Sequence, residues 1–383
     1  MNLKVLFICG SLEQEKDGVG DYSRRLAGEM IRKGCKVFLL AINDIYLERV
    51  EEAEQYDLET TIESYRLPKS LNLQEKERLA ASFVHKKNPD WLSLQYVPFS
   101  FNDRGLPYQW NKVFQAIGKG RKWHLMFHEL WLGIDSRKHS LKHKTLGMLQ
   151  RIIIKSLIKD IKPASISTQL LEYQNQLRQQ KISSQLLPLF GNIPFSCQEK
   201  QELNTELSQD TFHILYFGSA PGVDLTQLIL KKLIEFRGAY KLKWNLIYVG
   251  KASSNKAHFL DTIQQNFEQL SIDVIDLGHL HSEDLSQVLS IASVGIARSS
   301  LSFLGKSGSA VAMLEHGLPI WLPKVSKGEI IRLKYPFRKN IIFDSLDKAY
   351  KNSNLEKHKQ SLLPIVAESF INLVAKNSTP IHV

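Results

Sequence analysis

Near the N-terminus the chain reads Lys4-Val5-Leu6-Phe7-Ile8-Cys9-Gly10-Ser11, and His213-Ile214-Leu215-Tyr216-Phe217-Gly218-Ser219 repeats the pattern at its middle. Each stretch is a short apolar, β-rich run that closes on Gly-Ser and leads into a helical pattern. An open parallel α/β sheet begins in this way. The repetition therefore predicts two similar Rossmann-like, doubly wound domains. Because such sheets bind ligands outside the carboxyl ends of their strands, we expect them to face a central cleft.

The 383 residues suffice for two domains of ordinary size. No stretch approaches the roughly 18 uninterrupted apolar residues of a membrane-spanning helix, and the first residues lack the pattern of a signal peptide. Three widely spaced cysteines, Cys9, Cys35 and Cys197, indicate neither a disulfide framework nor a metal site. We therefore expect a cytoplasmic protein.

The periodicity predicts a regular alternation of strands and helices. In a first domain, 1–195, strands are predicted at 4–9, 36–42, 64–67, 91–97, 123–128, 164–168 and 185–189, and helices at 21–33, 74–87, 107–118, 138–161 and 169–179. In a second domain, 210–345, strands are predicted at 213–218, 244–249, 273–277, 293–297 and 319–322, and helices at 224–235, 256–270, 282–291 and 307–316. Two closing helices, 346–359 and 361–376, form a last segment, 346–383. The polar stretches 44–63 and 191–210 have weak patterns, and the second is the expected linker.

The net charge of +11 is concentrated in one segment. Residues 104–181 hold fifteen Lys and Arg residues against four acidic ones, a surplus equal to that of the whole chain. Part of it lies on the predicted helix 138–161, whose lysines fill the side opposite its apolar positions. Those apolar positions are Leu141, Leu149, Ile152, Ile153, Leu157 and Ile161. The helix is either an ordinary surface helix packed on its sheet or a contact with an anionic membrane. Nucleic acid fits less well because interleaved stacking aromatics are missing.

A glycine-serine motif, Gly305-Lys306-Ser307-Gly308-Ser309, precedes a predicted helix that ends at Gly317-Leu318-Pro319. The N–H groups of a first helical turn, together with the helix dipole, attract anions, and Lys306 adds a positive charge. The motif therefore predicts a diphosphate site. Ordinary capping by Ser307 or Ser309 is the alternative, although capping does not require two glycines and a lysine.

Two further motifs lie at the predicted carboxyl edge of the first sheet. Gly18-Val19-Gly20 falls in a predicted loop, 10–20, where its backbone N–H groups are expected to touch a ligand; a flexible turn capped by Asp21 is the alternative. His128 ends a predicted strand. It either bonds the substrate or stabilises charge that develops in a reaction, or it is a partly buried structural histidine.

Taken together, these residues make the chain resemble the GT-B glycosyltransferases, most closely the retaining enzymes of family 4 (group 1 type), over nearly its whole length. Gly18–Ala27 is similar to the family's N-terminal glycine loop and first helix, and Phe127–Glu129 to its histidine strand end. Leu314–Ile320 is similar to its donor-site helix end. The last helices, 346–376, resemble the segment that crosses back onto the N-terminal domain.

The resemblance implies a mechanism. The second domain holds a nucleotide sugar, the first holds a glycan or lipid-linked acceptor, and closure brings the catalytic group Gly18, Gly20 and His128 to the donor sugar. Lys306 and helix dipoles neutralise the departing diphosphate, with no metal and no cofactor besides the donor substrate. The residues expected to bind the nucleotide sugar are Gly218, Ser219, Lys251, Arg298, Lys306, Ser307, Gly308, Ser309 and Glu315.

The chain departs from the family pattern at two places. Leu304 and Ala312 stand where the family has a pair of glutamates, and Glu315 lies elsewhere. The loop 218–222 lacks the family's arginine and lysine, a charge that Lys251, Arg298 or Lys306 would have to supply.

We therefore predict a hexosyltransferase-type enzyme of polysaccharide or glycoconjugate biosynthesis. We expect it to be cytoplasmic, to lie on the inner face of the membrane through helix 138–161, and to bind no nucleic acid. Two alternatives stay open. One is a catalytically silent GT-B protein that binds nucleotide or glycan and assists a partner enzyme. The other is a sugar-nucleotide epimerase, which needs no acceptor.

Overall fold

The computed structural model describes residues 3–134, 140–195, 211–240, 242–323, 337–343, 345–351 and 357–377. The chain divides into two compact units, one of Met1–Pro188 with Leu363–Val383 and one of Leu189–Leu362. The sequence placed its boundaries at 195–210 and 345–346 instead. Most of the expected linker, 196–210, lies outside the described residues, as does 352–356 of the predicted helix 346–359.

The secondary structure follows the predicted alternation. The first unit contains β1 Lys4–Cys9, α1 Gly18–Arg32, β2 Lys36–Asp44, β3 Glu51–Asp57, β4 Thr60–Pro68, α2 Leu73–Lys87, β5 Trp91–Tyr96, α3 Pro98–Phe101, α4 Trp110–Ile117, β6 Lys122–Phe127, α5 Leu141–Ile161, β7 Ser165–Thr168, α6 Leu171–Gln179 and β8 Gln185–Leu186. The second contains β9 Phe212–Phe217, α7 Val223–Ala239, β10 Trp244–Val249, α8 Lys256–Gln264, α9 Phe267–Leu270, β11 Asp273–Gly278, α10 Ser282–Ile291, β12 Val294–Ile296, α11 Gly308–Glu315, β13 Ile320–Leu322, β14 Ile341–Phe343 and α12 Asp347–Lys351. The last helix, α13 Leu363–Lys376, belongs to the first unit.

Each unit is built on one sheet. The first sheet has the order β3-β4-β2-β1-β5-β6-β7-β8, in which all pairs are parallel except β3 with β4. The second has the order β11-β10-β9-β12-β13-β14 and is parallel throughout. In both, the first strand of the unit lies inside the sheet and the chain winds outward to either side of it. The predicted α/β class with two doubly wound parallel sheets is confirmed.

The central strands are buried because helices cover both sheet faces. On one face of the first sheet, the Phe7 ring of β1 packs on Phe370 of α13, with centroids 5.4 Å apart. The core of the second unit is built around large buried aromatics, among them Trp244, Trp321 and Phe259. In the part of the chain that the structure describes, no helix has both the length and the apolar character needed to cross a membrane.

Helix stops were predictable, but β3 was not. Gly34 and Gly317 follow their helices with positive φ, as a C-terminal glycine does. No strand was predicted in the polar stretch 44–63, where β3 and the start of β4 form an antiparallel hairpin, while the strand predicted at 64–67 is the second half of β4. Residues of β3 alternate between intermediate and exposed burial, and the strand is mostly polar. A strand at a sheet edge with no apolar face shows no hydrophobic alternation, which explains why the sequence pattern missed it.

The buried side of helix α5 was predicted only in part, since Leu157 and Ile161 are buried as expected but other positions differ. Its buried positions are Gly147, Gln150, Ile154, Leu157 and Ile161. Leu141, Leu149 and Ile152, expected on the packing side, are exposed. A side chain at Gly147 would overlap the Leu132 carbonyl, and Gln150 bonds Leu132 N at 2.9 Å and the Gly105 carbonyl at 3.2 Å. This small residue and this hydrogen-bonded amide set the rotation of the helix.

Candidate functional site

A pocket of about 280 Å³ lies at the carboxyl edge of the second sheet. Its walls come from the first turns of α7, the segment Ala297–Ser300 after β12, and the end of β13 at Leu322 with Pro323. In this sheet β10 pairs with one side of β9 and β12 pairs with the other, so the strand order reverses at β9. Open α/β sheets bind ligands at such a switch point. Leu225, Leu228 and Leu322 make the pocket largely apolar, while Asp224 and Arg298 bring charge to it.

Two tyrosine hydroxyls hold the loop that follows β9. Tyr216 donates to the Ser219 carbonyl at 3.0 Å, and Tyr248 donates to the Gly218 carbonyl at 3.1 Å. The two rings stack, 5.8 Å apart and 5° from parallel. Burial raises the pKa of Tyr216, so its hydroxyl keeps the proton that it donates. Gly218 has a φ of +118°, a backbone conformation that favours glycine.

The predicted diphosphate motif lies beside this loop. Ser307 is the N-cap of α11, and its hydroxyl accepts from Ala310 N at 3.3 Å. Capping by Ser307, the alternative considered from sequence, is therefore present. It satisfies one N–H of the four that a helix start exposes, which leaves those of Gly308 and Ser309 for a ligand. A methyl built on Gly218 would lie 3.5 Å from Ser309 Oγ, so the loop and the helix start adjoin.

Basic residues lie next to the site, just after neighbouring strands or just before α11. Arg298 follows β12, is exposed and reaches the Ser219 carbonyl at 3.5 Å. Lys251 follows β10 and is exposed. Its neighbour Gly250 packs so closely that an added methyl would overlap the Gly218 carbonyl. Lys306 ends the 3₁₀ turn that precedes α11. The structure thus brings Gly218, Ser219, Arg298 and Ser309 together, with Lys251 and Lys306 on adjoining segments.

Glu315 lies at the opposite end of α11 from Ser307 and is buried. Its Oε1 accepts from Leu362 N at 2.9 Å, and its backbone carbonyl accepts from Gln360 N at 2.8 Å. The residue thus anchors a neighbouring segment of its own unit, and this geometry gives no support to the expected donor contact. Leu304 and Ala312, which stand where the family that the sequence resembles has glutamates, are also buried and belong to the core.

His128 is buried in the first unit, and each ring nitrogen has a partner. Nε2 lies 2.8 Å from Gln95 Oε1, and Nδ1 lies 2.8 Å from Gln169 Nε2. A carbonyl oxygen only accepts, so Nε2 carries the hydrogen and Nδ1 accepts from the Gln169 amide. The Tyr22 ring packs edge-on against the imidazole at 4.7 Å. In this geometry His128 matches the structural histidine that was one of the two readings of the sequence.

The hydrogen bonds of His128 continue into the sheet. Gln95 donates to Ser93 Oγ at 2.7 Å, Ser93 bonds His124 Nδ1 at 2.8 Å, and His124 Nε2 bonds Ser167 Oγ at 3.0 Å. If each residue donates a hydrogen bond to the next one, from Gln169 through to Ser167, every bond has one donor and one acceptor. We call the six residues Gln169, His128, Gln95, Ser93, His124 and Ser167 the polar chain. Sequence analysis missed it because its partners lie on three different strands, and the alternation of polar side chains on β5 was the available signal.

Gly18 and Gly20 lie inside the first turn of α1, so the prediction of a loop over 10–20 is wrong at its end. Asp17, rather than Asp21, caps the helix and accepts from Val19 N at 3.0 Å and Gly20 N at 2.7 Å. Burial raises the pKa of the Asp17 carboxyl. The Gly20 N–H is thus occupied by the cap. A side chain at Gly20 would meet the Ser11 carbonyl, whereas Gly18 has open space.

Comparison with known proteins supports the fold. No protein-family model matches the chain, and no curated protein matches it. Among solved structures, sucrose-phosphate synthase from Thermosynechococcus elongatus is 14% identical with a TM-score of 0.60, covering 98% of this chain and 94% of that one. The catalytic domain of starch synthase IV from Arabidopsis thaliana, bound to ADP and acarbose, is 12% identical with a TM-score of 0.58, covering 98% and 99%. A putative UDP-N-acetylglucosamine 2-epimerase from Listeria monocytogenes is 12% identical with a TM-score of 0.53, covering 98% and 96%. The chain therefore has the GT-B fold.

Proposed function

We propose that the protein is a glycosyltransferase that takes a sugar from a nucleotide-sugar donor. The observation that carries the proposal is the contiguity of the site in the second unit. The switch-point pocket includes Arg298, Arg298 meets the loop at Ser219, and that loop adjoins the start of α11 at Ser309. An apolar slot next to cations and helix N–H groups suits a nucleoside diphosphate. The starch synthase structure, of the same fold, is bound to ADP.

In this proposal the apolar pocket takes the base and ribose, and the N–H groups of Gly308 and Ser309 take the diphosphate. Arg298 supplies the cation that the loop after β9 lacks, with Lys306 and Lys251 beside it. These positive groups stabilise the leaving nucleoside diphosphate as charge develops on it. We further propose a retaining, metal-independent transfer to a glycan or lipid-linked acceptor held by the first unit, in polysaccharide or glycoconjugate biosynthesis. The assignment to family 4 and to hexose transfer rests on the sequence resemblance.

A thermal-shift screen against nucleoside diphosphates and their sugars tests the donor site, because a ligand of the native state raises the melting temperature. We expect at least one nucleoside diphosphate to stabilise the protein, and Arg298→Ala and Lys306→Ala each to weaken its binding about tenfold, a typical loss for a charged hydrogen bond. Lys231→Ala, an exposed lysine of α7, is the matched control and should bind as the wild type does. A screen with no stabilising nucleotide, or one that neither substitution changes, contradicts the proposal.

A second candidate, a nucleotide-binding protein that transfers nothing, is favoured by one observation. Leu304 and Ala312 are buried apolar residues where the resemblance places acidic ones. Incubation of the purified protein with the stabilising nucleotide sugar separates the candidates. Release of free nucleoside diphosphate supports the transferase, unchanged donor supports the silent protein, and conversion of the donor to an isomer supports an epimerase.

A further inference from the structure

The outward face of α5 carries a row of apolar side chains. Leu141 is 80% exposed, Met148 61% and Ile152 54%, and Leu149 is exposed beside them. Positions 141, 148 and 152 lie on one side because spacings of seven and four are close to whole helical turns. From 141 to 152 the row is about 16 Å long at 1.5 Å per residue. Single exposed apolar residues are ordinary, but a contiguous row marks a binding surface.

Lysines border the same face. Lys142, Lys144, Lys155 and Lys159 are exposed. Within the described ranges, none of these four forms an ion pair with a carboxylate. Their spacing from Leu141 and Ile152 places Lys155 and Lys159 on the apolar side itself and the other two at its borders. We call the four apolar residues and the four lysines the α5 face.

We propose that the α5 face docks on the surface of an anionic lipid bilayer. Aliphatic side chains enter the boundary between headgroups and acyl chains while lysines extend to the phosphates. A second copy of the chain is a poor occupant because two like-charged faces repel. Nucleic acid binding draws on cations and stacking aromatics and has no use for an aliphatic row. The proposal does not depend on the donor site in the second unit.

Co-sedimentation of the full chain with lipid vesicles tests the proposal. We expect binding to phosphatidylcholine vesicles with 30% phosphatidylglycerol, little binding to phosphatidylcholine alone, and release at high salt. Met148→Gln with Ile152→Gln should reduce the partition coefficient at least tenfold. Ile365→Gln is the matched control, since Ile365 of α13 is 52% exposed, nearly as much as Ile152. It should leave partition within twofold of the wild type.

A second pair of variants tests the charge. Lys142, Lys155 and Lys159 changed to Glu should abolish vesicle binding, whereas Lys231, Lys339 and Lys348 changed to Glu alter the net charge equally and should retain most of it. All six lysines are exposed. The proposal is overturned if the wild type ignores anionic vesicles, if the control triple loses as much binding as the α5 triple, or if the protein binds single-stranded RNA or an acidic protein through this face and no vesicles. None of these outcomes bears on nucleotide binding, which the thermal-shift screen reads separately.

Discussion

The two sheets share an architecture but differ at their carboxyl edges. At the edge of the first, side chains from β5, β6 and β7 bond one another, and both nitrogens of His128 are occupied. At the edge of the second, side chains instead hold the backbone, since Tyr216 and Tyr248 bond the carbonyls of a glycine loop beside an open pocket. A polar residue at a strand end is therefore available to a ligand only where the fold leaves its hydrogen-bonding groups unused.

The difference also has an energetic side. A buried polar group that loses its partner costs more than the hydrogen bond itself stabilised. Breaking the polar chain should therefore destabilise the first unit strongly, whereas changes at the second edge should act on both the loop and the proposed nucleotide site.

We expect the greatest loss of stability from Gln95→Leu. This change removes the acceptor of His128 Nε2 and the donor to Ser93 Oγ, so two buried polar groups each lose a hydrogen bond, although Ser93 keeps its bond to His124. At about 2 kcal/mol for each such group, we expect a loss of about 4 kcal/mol in the free energy of unfolding. Equilibrium urea unfolding measures it. Gln179→Leu, at an exposed position of α6, should change stability by less than about 0.5 kcal/mol.

The same variant also tests whether the two edges act independently. If Gln95→Leu lowers stability but leaves nucleotide binding intact, the two edges act independently. A stability equal to that of the wild type would show that the polar chain is not formed as described.

The next effect is expected at Gly250. A methyl there overlaps the Gly218 carbonyl, which is backbone and cannot rotate away. We expect Gly250→Ala to cost about 3 kcal/mol, the upper end for overpacking, and to weaken nucleotide binding by displacing the loop. Gly222→Ala is the control, because its added methyl has open space and its φ is −72°. If both alanine variants unfold at the same urea concentration, the close contact of the two loops does not exist.

A third expectation concerns pH and His124. Burial lowers the pKa of His124 to about 3 from its ordinary value near 6.5. The unfolded chain therefore takes up the proton first, so stability is fully present above about pH 6.5 and is lost as the pH falls toward 3. Between pH 7 and pH 5 this one group should account for about 2 kcal/mol.

Urea unfolding at pH 7 and pH 5 gives the change in unfolding free energy for each protein, and this change is compared between the wild type and the variants. His124→Gln removes the titrating group and should show a pH dependence smaller by that amount, whatever its own stability. His85→Gln, at an exposed position of α2, is the control and should keep the pH dependence of the wild type. Equal pH dependence in all three proteins would contradict the burial of a neutral His124.

Much of the second edge could be predicted from sequence, and little of the first. Gly218 and the segment 305–309 stand next to predicted strand and helix ends, so local pattern located them. His128 was located equally well, but its partners Gln95 and Gln169 lie 33 and 41 positions away. Periodicity carries no information on such pairing. The rotation of α5 was predicted only in part for a related reason. Gly147 and Gln150, which contact the neighbouring backbone, carry no hydrophobic signal, whereas the buried Leu157 and Ile161 do.

The smallest effects should come from the tyrosines that hold the loop after β9. Tyr216→Phe and Tyr248→Phe each remove one hydrogen bond to a carbonyl and keep the ring stack, so each should cost about 1 kcal/mol in unfolding free energy. Because the loop then loses its anchor, nucleotide affinity should also fall a few-fold. Isothermal titration with the stabilising nucleotide measures this, and Tyr108→Phe, at an exposed position of the first unit, should leave the affinity unchanged. If the double variant Tyr216→Phe, Tyr248→Phe binds the nucleotide as tightly as the wild type, ligand binding does not depend on the bonds to the Ser219 and Gly218 carbonyls. The two edges would then differ only in the pocket.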